Sequence, residues 1–317
     1  MLNRFRQSSR GRGTPAINVL ESSWLMGLAI CLLAISPPLS ADGAARAESG
    51  VAAPAKAYGR FVPERQDDFT WENDKVAFRV YGPASQGKGQ VSGVDAWLKK
   101  VPWPVIDNWY EGHLAGKSYH VDHGEGYDPF HVGDSRGVGG TAIWIDGTPW
   151  PAGKFKSYEI LQNSGPVVEF RLLYEWDTPI GMVAESKTIS LNMGEQLYRV
   201  NSVFSLDGQP AALPIAIGLT THDEAATAAG NRDRGQITTW EEIDGLGLGT
   251  AVLLEPEKVK EVLHLPKEDK DASHIWLITS SNDEGELGFR AGFAWEAAAE
   301  IMSPQACDHY LNTVAGW

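Results

Sequence analysis

Val167 to Leu206 reads VVEFRLLYEWDTPIGMVAESKTISLNMGEQLYRVNSVFSL, three runs rich in β-branched and aromatic residues separated by turn residues. Such runs predict the strands VVEFRLLYEW, SKTISLN and QLYRVNSVFSL, because these side chains pack well on a pleated surface. The pattern extends both ways. Upstream, KVAFRVYG (Lys75 to Gly82) alternates Val76, Phe78 and Val80 with polar neighbours, as a half-buried strand does. TAIWIDGTPW (Thr141 to Trp150) carries Asp146-Gly147, a hairpin-turn dipeptide, and KSYEILQ follows. Downstream come LPIAIGLTTH, QITTWEE, TAVLLEP, HIWLITSS and LGFRAGFAWE. Many spaced strands and little helical periodicity predict an all-β fold, a large antiparallel β-sandwich or barrel. A short helix closes the chain: Ser303 suits the N-cap, Pro304 the first helical position, and QACDHYLNTVA follows.

The N-terminus has the order of a secretory signal. Arg4, Arg6, Arg10 and Arg12 precede the apolar run WLMGLAICLLAI (Trp24 to Ile35), Pro37-Pro38 and the small-residue stretch ending Ala45-Arg46-Ala47. The run is shorter than the roughly 18 apolar residues a membrane helix needs. Residues 1–47 are therefore expected to be a cleaved signal peptide, 48–60 a disordered leader, and 61–317 one β-sandwich domain, periplasmic or extracellular and free of the membrane after cleavage.

Cleavage would leave 22 basic against 39 acidic residues, a net charge of about −17. That field disfavours nucleic acid, whose phosphates need a clustered basic surface. Cys307 would be the single remaining cysteine, so stability must come from packing and not from an intrachain disulfide. The oligomeric state is not legible.

Four of the eight histidines fall in HLAGKSYHVDHGEGYDPFH, His113 to His131, with Asp122, Glu125, Tyr127 and Asp128. Histidine titrates nearest neutral pH and is a common metal ligand, so this density beside carboxylates marks a candidate site. If Ser118 to His123 is extended, His120 and Asp122 share one face and His123 the other. Gly124 and Gly126 then break the strand, placing Glu125, Tyr127 and Asp128 on a tight loop. Three readings stay open: an acid/base or substrate-binding centre, a divalent metal held by His120, His123 or His131 with Asp122 or Asp128, and a structural cap. The spacing matches no standard zinc motif, so no cofactor is assigned.

VGDSRGVGG (Val132 to Gly140) follows the cluster. It lacks the GxxxxGK[ST] pattern and precedes a strand, so it is not a phosphate loop. Its glycines permit a sharp turn and close approach to a ligand, with Asp134 and Arg136 projecting and Arg136 able to clamp a carboxylate. Twelve tryptophans are many for 317 residues. Trp144, Trp176, Trp276 and Trp295 lie in strand patterns and read as core, whereas Trp103 and Trp109, in the irregular VPWPVIDNWYEGH stretch, are candidate sugar-stacking platforms. His222, Asp223 and Glu224 sit where a strand leaves LPIAIGLTTH, positioned to complete a site with the first cluster or to form a solvated turn.

RFVPERQDDFTWENDKVAFRVYGP, SGVDAWLKKVPWPVIDNWY, KSYHVDHGEGYDPFHVGDSRGVGGTAIWIDG and AGFAWE together resemble a family of exported bacterial proteins known only as a domain of unknown function. The resemblance spans most of the chain after the signal. It implies a galactose-mutarotase-like β-supersandwich and an origin in bacteria that degrade plant and algal polysaccharides. It implies no catalytic residue.

The expected function is an exported carbohydrate-active protein acting on oligosaccharides from uronate-containing polysaccharide by lyase-type acid/base chemistry. The expected catalytic residues are His120, His123, Tyr127 and Arg136, and the expected substrate contacts are Trp103, Trp109, Glu125, Asp128, His131 and His222. Elimination needs a neutralised carboxylate and a base within hydrogen-bond reach. The acidic surface favours short oligosaccharides over a long polyanion. One alternative is a hydrolase or a mutarotase/epimerase-like enzyme on neutral sugars, with Glu125, Asp128 or Glu224 paired with a histidine. The other is a non-catalytic sugar-binding protein using Trp103 and Trp109.

Overall fold

The computed structural model describes residues 54–85 and 92–315. The expected signal peptide and the first part of the expected leader, residues 48–53, lie outside the described residues. Where the leader was expected to run to residue 60, the chain is already in β1 (Tyr58–Val62), since YGRFV pairs along its length with DFTWE of β2 (Asp68–Glu72). β3 (Ala77–Val80), β4 (Val94–Lys99) and β5 (Gly126–Tyr127) complete a first antiparallel sheet in chain order, with α1 (Ile106–Leu114) inserted before β5.

The remaining strands are β6 (Val138–Ile145), β7 (Thr148–Pro151), β8 (Ser157–Gln162), β9 (Val167–Thr178), β10 (Gly181–Asn192), β11 (Leu197–Leu206), β12 (Gln209–Pro210), β13 (Pro214–Thr220), β14 (Thr227–Asn231), β15 (Gln236–Ile243), β16 (Leu246–Leu253), β17 (Glu261–Leu265), β18 (His274–Ser280) and β19 (Glu286–Trp295). A second sheet runs β14-β15-β16-β19-β11-β10-β9-β8, with β12 on β11, and a third runs β17-β18-β13-β6-β7. All pairings between these strands are antiparallel, and the second and third sheets face each other as a sandwich. The all-β antiparallel expectation is thus met, as is the closing helix α2 (Pro304–Val314), whose Ser303 Oγ accepts from the Ala306 N–H.

The main core joins the sheets through aromatic contacts. Phe69 stacks on Phe170 at 4.1 Å between ring centroids, Trp71 meets Tyr198 edge-on, and Phe78 meets Phe293 edge-on. These rings come from one face of β2 and β3. On the opposite face, at alternate positions, stand Glu72, Arg79, Asp95 and Lys99, all buried. KVAFRVYG therefore does not turn its polar side to water, because α1 and the segment 118–128 lie over it.

Buried charges here are paired. Lys99 Nζ donates to Glu72 Oε2 at 2.7 Å and to the carbonyls of Asn73 and Trp103. The same Glu72 accepts from the backbone N–H groups of Val105 and Ile106 at 3.0 Å, capping α1 from a distant strand. The helix stands where VPWPVIDNWYEGH reads as irregular. Helix α2 covers part of the second sheet's outer face, packing Cys307 and Leu311 on Ala251, Leu253 and Ala294.

The glycine loop serves the joint between sheets. Gly137, at φ +54°, bridges in parallel to Val94, and a Cβ there would stand 2.0 Å from the Val94 carbonyl oxygen. The close approach expected toward a ligand is made to β4 instead.

Candidate functional site

Ser118 to His123 is a turn, not the extended segment expected. The Ser118 hydroxyl accepts from the His120 N–H, the Ser118 carbonyl faces His123 Nε2 at 3.1 Å, and Asp122 Oδ1 accepts from the N–H groups of Gly124 and Gly126. A turn tied this closely to its own backbone fixes where each imidazole points. His120 Nδ1 lies 2.7 Å from the Asp128 carbonyl oxygen and 3.5 Å from its Oδ2, while about half of the side chain is exposed. Donation from Nδ1 to that carbonyl leaves Nε2 as the outward nitrogen, an acceptor in the neutral ring and an N–H donor in the imidazolium.

His113, from the last turn of α1, stacks on Tyr119 at 4.4 Å, and its ring centroid is 6.4 Å from that of His120 in an edge-on arrangement. Partial burial, reinforced by the positive charges of His120, Arg65 and Arg79, lowers the His113 pKa below its ordinary value. Two imidazoles thus flank one buried phenol at the surface.

Beneath them is a compact ionic centre. Arg79 donates to Asp95 Oδ2 at 2.5 Å, Asp128 Oδ2 at 3.0 Å and the Tyr119 hydroxyl at 3.2 Å. Burial opposes the Arg79 charge, but Asp95 and Asp128 outweigh it and raise the guanidinium pKa further. Asp128 is pushed well above the carboxylate range by burial and then by Asp95. Asp68 is pushed up to about 6, again chiefly by burial. Arg65 Nη1 stands 3.4 Å from Asp68 Oδ2, and the Arg65 side chain keeps 21% of its surface exposed. Among the described residues, Arg65 Nη1, Asp68 Oδ2, Arg79 Nε and Asp95 Oδ1 are buried without a hydrogen-bond partner. Three of these still lie within ion-pair distance, Arg65 Nη1 and Arg79 Nε both with Asp68 Oδ2.

The other residues expected at the site separate from this face. Tyr127 donates its hydroxyl to Asp244 Oδ2 at 2.6 Å and packs near Trp295; burial first and then Asp244 raise its pKa. Arg136 does not project from the glycine loop. It is buried between the sheets, with Nη1 donating to Ser92 Oγ at 2.9 Å and Nη2 to the Asp134 carbonyl. Trp103 and Trp109 do not offer free ring edges: their indole N–H groups donate to the two oxygens of Glu125 at 2.7 and 3.1 Å. Glu125 is thereby occupied, and Trp109 stacks on Trp97. Of the four tryptophans read as core, Trp276 and Trp295 are buried and Trp144 and Trp176 half-buried.

A second histidine centre forms farther along the same loop. His131 Nε2 is 2.9 Å from Asp271 Oδ1. His222 Nδ1 is 2.7 and 2.8 Å from the Glu241 oxygens, and its Nε2 is 2.9 Å from the His131 carbonyl. Neither His222 nitrogen is directed at open space. His222, Asp223 and Glu224 have φ of +46°, +54° and +70°, three consecutive side chains in the left-handed region. Such residues cost about 1–3 kcal/mol each. Here each is tethered: His222 to Glu241, Asp223 to the Asp271 N–H, and Glu224 to Thr221 and His264.

Sequence reasoning brought His120 and Asp128 together but missed His113, Tyr119, Arg65, Arg79 and Asp95. His113 and Tyr119 belong to the histidine-rich stretch itself, so its density was the available signal; the arginines and Asp95 sit in ordinary strand and turn contexts. No group of three or more His, Cys, Asp or Glu among the described residues is arranged to hold a metal ion.

The profile of a family described as Domain of unknown function (DUF4861) matches residues 44–316. "Uncharacterized protein P7" from Formosa agariphila is 38% identical over 267 residues, covering 80% of this chain and 66% of that protein. The chain thus spans just under two thirds of that curated relative. Among solved structures, the GH36 alpha-galactosidase AgaB from Geobacillus stearothermophilus aligns at 8% identity and a TM-score of 0.36, covering 75% of this chain and 40% of that one. A superposition that loose carries no argument about chemistry.

Proposed function

From the premise that the chain belongs to the DUF4861 family, whose description assigns no chemistry, we propose that it is an exported carbohydrate-active enzyme. Its substrates are short uronate-containing oligosaccharides, cleaved by β-elimination at the face built from His113, His120 and Arg65. The observation that carries this reading is the pair of exposed imidazoles 6.4 Å apart, one of them with Nδ1 fixed on the Asp128 carbonyl. Export is supported by the basic leader and the apolar run Trp24 to Ile35.

In such an elimination one imidazole removes the proton on C5, next to the carboxylate. The electron pair forms the C4=C5 double bond, the C4–O bond breaks, and the second imidazole protonates the leaving oxygen. His113 suits the base, because its lowered pKa keeps it unprotonated near neutral pH. His120 enters this step as the imidazolium, with Nδ1–H on the Asp128 carbonyl and Nε2–H toward the leaving oxygen. Arg65, partly exposed beside them, pairs with the substrate carboxylate and so acidifies the C5 proton. Arg79, Asp95 and Asp128 touch no substrate; they hold Tyr119 and His120 in place.

The test is to incubate the protein with uronate oligosaccharides and follow the ultraviolet absorbance of the conjugated unsaturated product. Activity is expected, with His120→Ala and His113→Ala each lowering kcat by about 10²–10⁴-fold and His123→Ala leaving it nearly unchanged. New reducing ends without absorbance would replace elimination by hydrolysis. Saturable binding without product, insensitive to His120→Ala, would replace the enzyme by a binding protein.

A further inference from the structure

The indoles proposed from sequence as sugar platforms are tied to Glu125, but another, half-buried tryptophan lines a groove elsewhere. Trp240 lies on the outer face of the second sheet, paired across strands with Thr227, and Ala229 with Thr238 beside it. On its other flank the neighbouring strand offers glycines: a Cβ at Gly247 would stand 2.3 Å from Trp240 Cζ2, and one at Gly249 2.9 Å from its Cε3. The LGLG run of β16 therefore lets the indole lie along the sheet. Helix α2 crosses opposite, presenting Pro304, Cys307 and Asp308 at helical spacing.

Between the β14–β15 pair and α2 is a groove of about 220 Å³. Its walls combine Trp240 and Ala229 with the hydroxyls of Thr227 and Thr238 and the Asp308 carboxylate. The carboxylate is aimed by two donors, Arg234 Nη1 at 3.0 Å and Gln236 Nε2 at 3.2 Å, both to Oδ1. Oδ2 receives the same Arg234 nitrogen at 3.3 Å. A flat aromatic surface next to hydroxyls and a carboxylate complements a pyranose, which has apolar C–H faces and an equatorial rim of hydroxyl donors. The volume falls below the roughly 300–1,000 Å³ of drug-sized ligand pockets, so a single ring fits and a strand or helix does not. A uronate finds no cation ready to take its carboxylate, since Arg234 beside the groove is already bonded to Asp308 and Asn312.

We propose that this groove binds one neutral pyranose ring, stacked on Trp240 and hydrogen-bonded by Thr227, Thr238 and Asp308. The site stands on different elements from the His113–His120 face and does not depend on the elimination reading. Its ligand preference is the reverse, neutral sugar over uronate, so the two fail separately.

The experiment is calorimetric titration and saturation-transfer NMR of the whole protein with D-galactose, D-glucose and D-glucuronate. A neutral hexose is expected to bind in the millimolar range and more tightly than D-glucuronate. Trp240→Ala should weaken it about tenfold or more, Trp240→Phe by much less, and Thr238→Val several-fold. His120→Ala should leave hexose binding unchanged. Absence of hexose binding, equal affinity in Trp240→Ala, loss in His120→Ala, or a preference for D-glucuronate would each overturn the proposal. If Trp240→Ala does not fold, Trp240→Phe and Thr238→Val carry the test, and unchanged affinity in Thr238→Val overturns it.

Discussion

Arg79 and Arg136 are both buried arginines in this molecule, and they are buried in opposite ways. Arg79 lies between Asp95 and Asp128 under α1, and these carboxylates raise its pKa despite burial. Arg136 lies at the joint between sheets, where its side chain meets a hydroxyl and a carbonyl, and burial lowers its pKa to about 10. Arg136 stays cationic at neutral pH, whereas its neighbour His274 is held uncharged: Nδ1 faces the Ala272 carbonyl, Nε2 accepts the Arg136 N–H, and burial first, then Arg136, lowers its pKa to about 4. The Arg79 centre favours bound protons on its acids, and the Arg136 centre resists protons on its bases. Burial of charge therefore has no fixed sign; the neighbours set it.

The contrast is broken most directly by exchanging each arginine for methionine. Arg79→Met strands Asp95 and Asp128 without their cation and is expected to cost about 3–5 kcal/mol, read as a large drop in the denaturation midpoint. Arg136→Met removes a charge that makes no contact ion pair with a carboxylate among the described residues and should cost about 1–2 kcal/mol or less. Equal losses would dissolve the distinction.

Acid titration sharpens it with opposite slopes. His274 binds fewer protons folded than unfolded between about pH 4 and 6.5, so its contribution is fully present above 6.5 and is lost as pH falls through 4. The size is about 3 kcal/mol. In His274→Gln, stability should fall less steeply over that window. Asp68, raised from 3.8 to about 6, binds more protons folded, so its contribution is largest below 3.8 and is lost as pH rises through 6. Asp68→Asn should remove that opposing slope, leaving the mutant steeper in acid than the parent. A mutant pair whose slopes change in the same direction would contradict the assignment.

The smallest effect concerns the neutral ligands of Arg136. Ser92→Ala deletes the Nη1 acceptor and should cost about 1–2 kcal/mol, without altering the acid slope of the Arg79 centre.

Alternation was enough to read β9 to β11 of the second sheet, because there one face is buried and every second residue records it. The first sheet was harder. β2, β3 and β4 are buried on both faces, so Asp68, Glu72, Arg79, Asp95 and Lys99 look like solvent-facing positions until α1 is placed over them. Helix α1 was illegible for a related reason. Its first N–H groups are capped by Glu72, 33 and 34 residues away, where Ser303 caps α2 from the adjacent position.

At the candidate site the histidine-rich stretch marked the right segment but not the partners. His120 was legible and its 2.7 Å tie to the Asp128 carbonyl was not; Arg136 was legible as a cation and its burial was not. Residue type, spacing and local turn chemistry act over a few positions, so the sequence by itself determined the strands, the hairpin at Asp146-Gly147 and the cap of α2. Which nitrogen of His120 faces outward, which carboxylates surround Arg79 and which indole lines a groove depend on groups brought together from distant strands. Only the tertiary structure decided those, because desolvation and hydrogen bonding are set by whatever the folded chain places within a few ångströms.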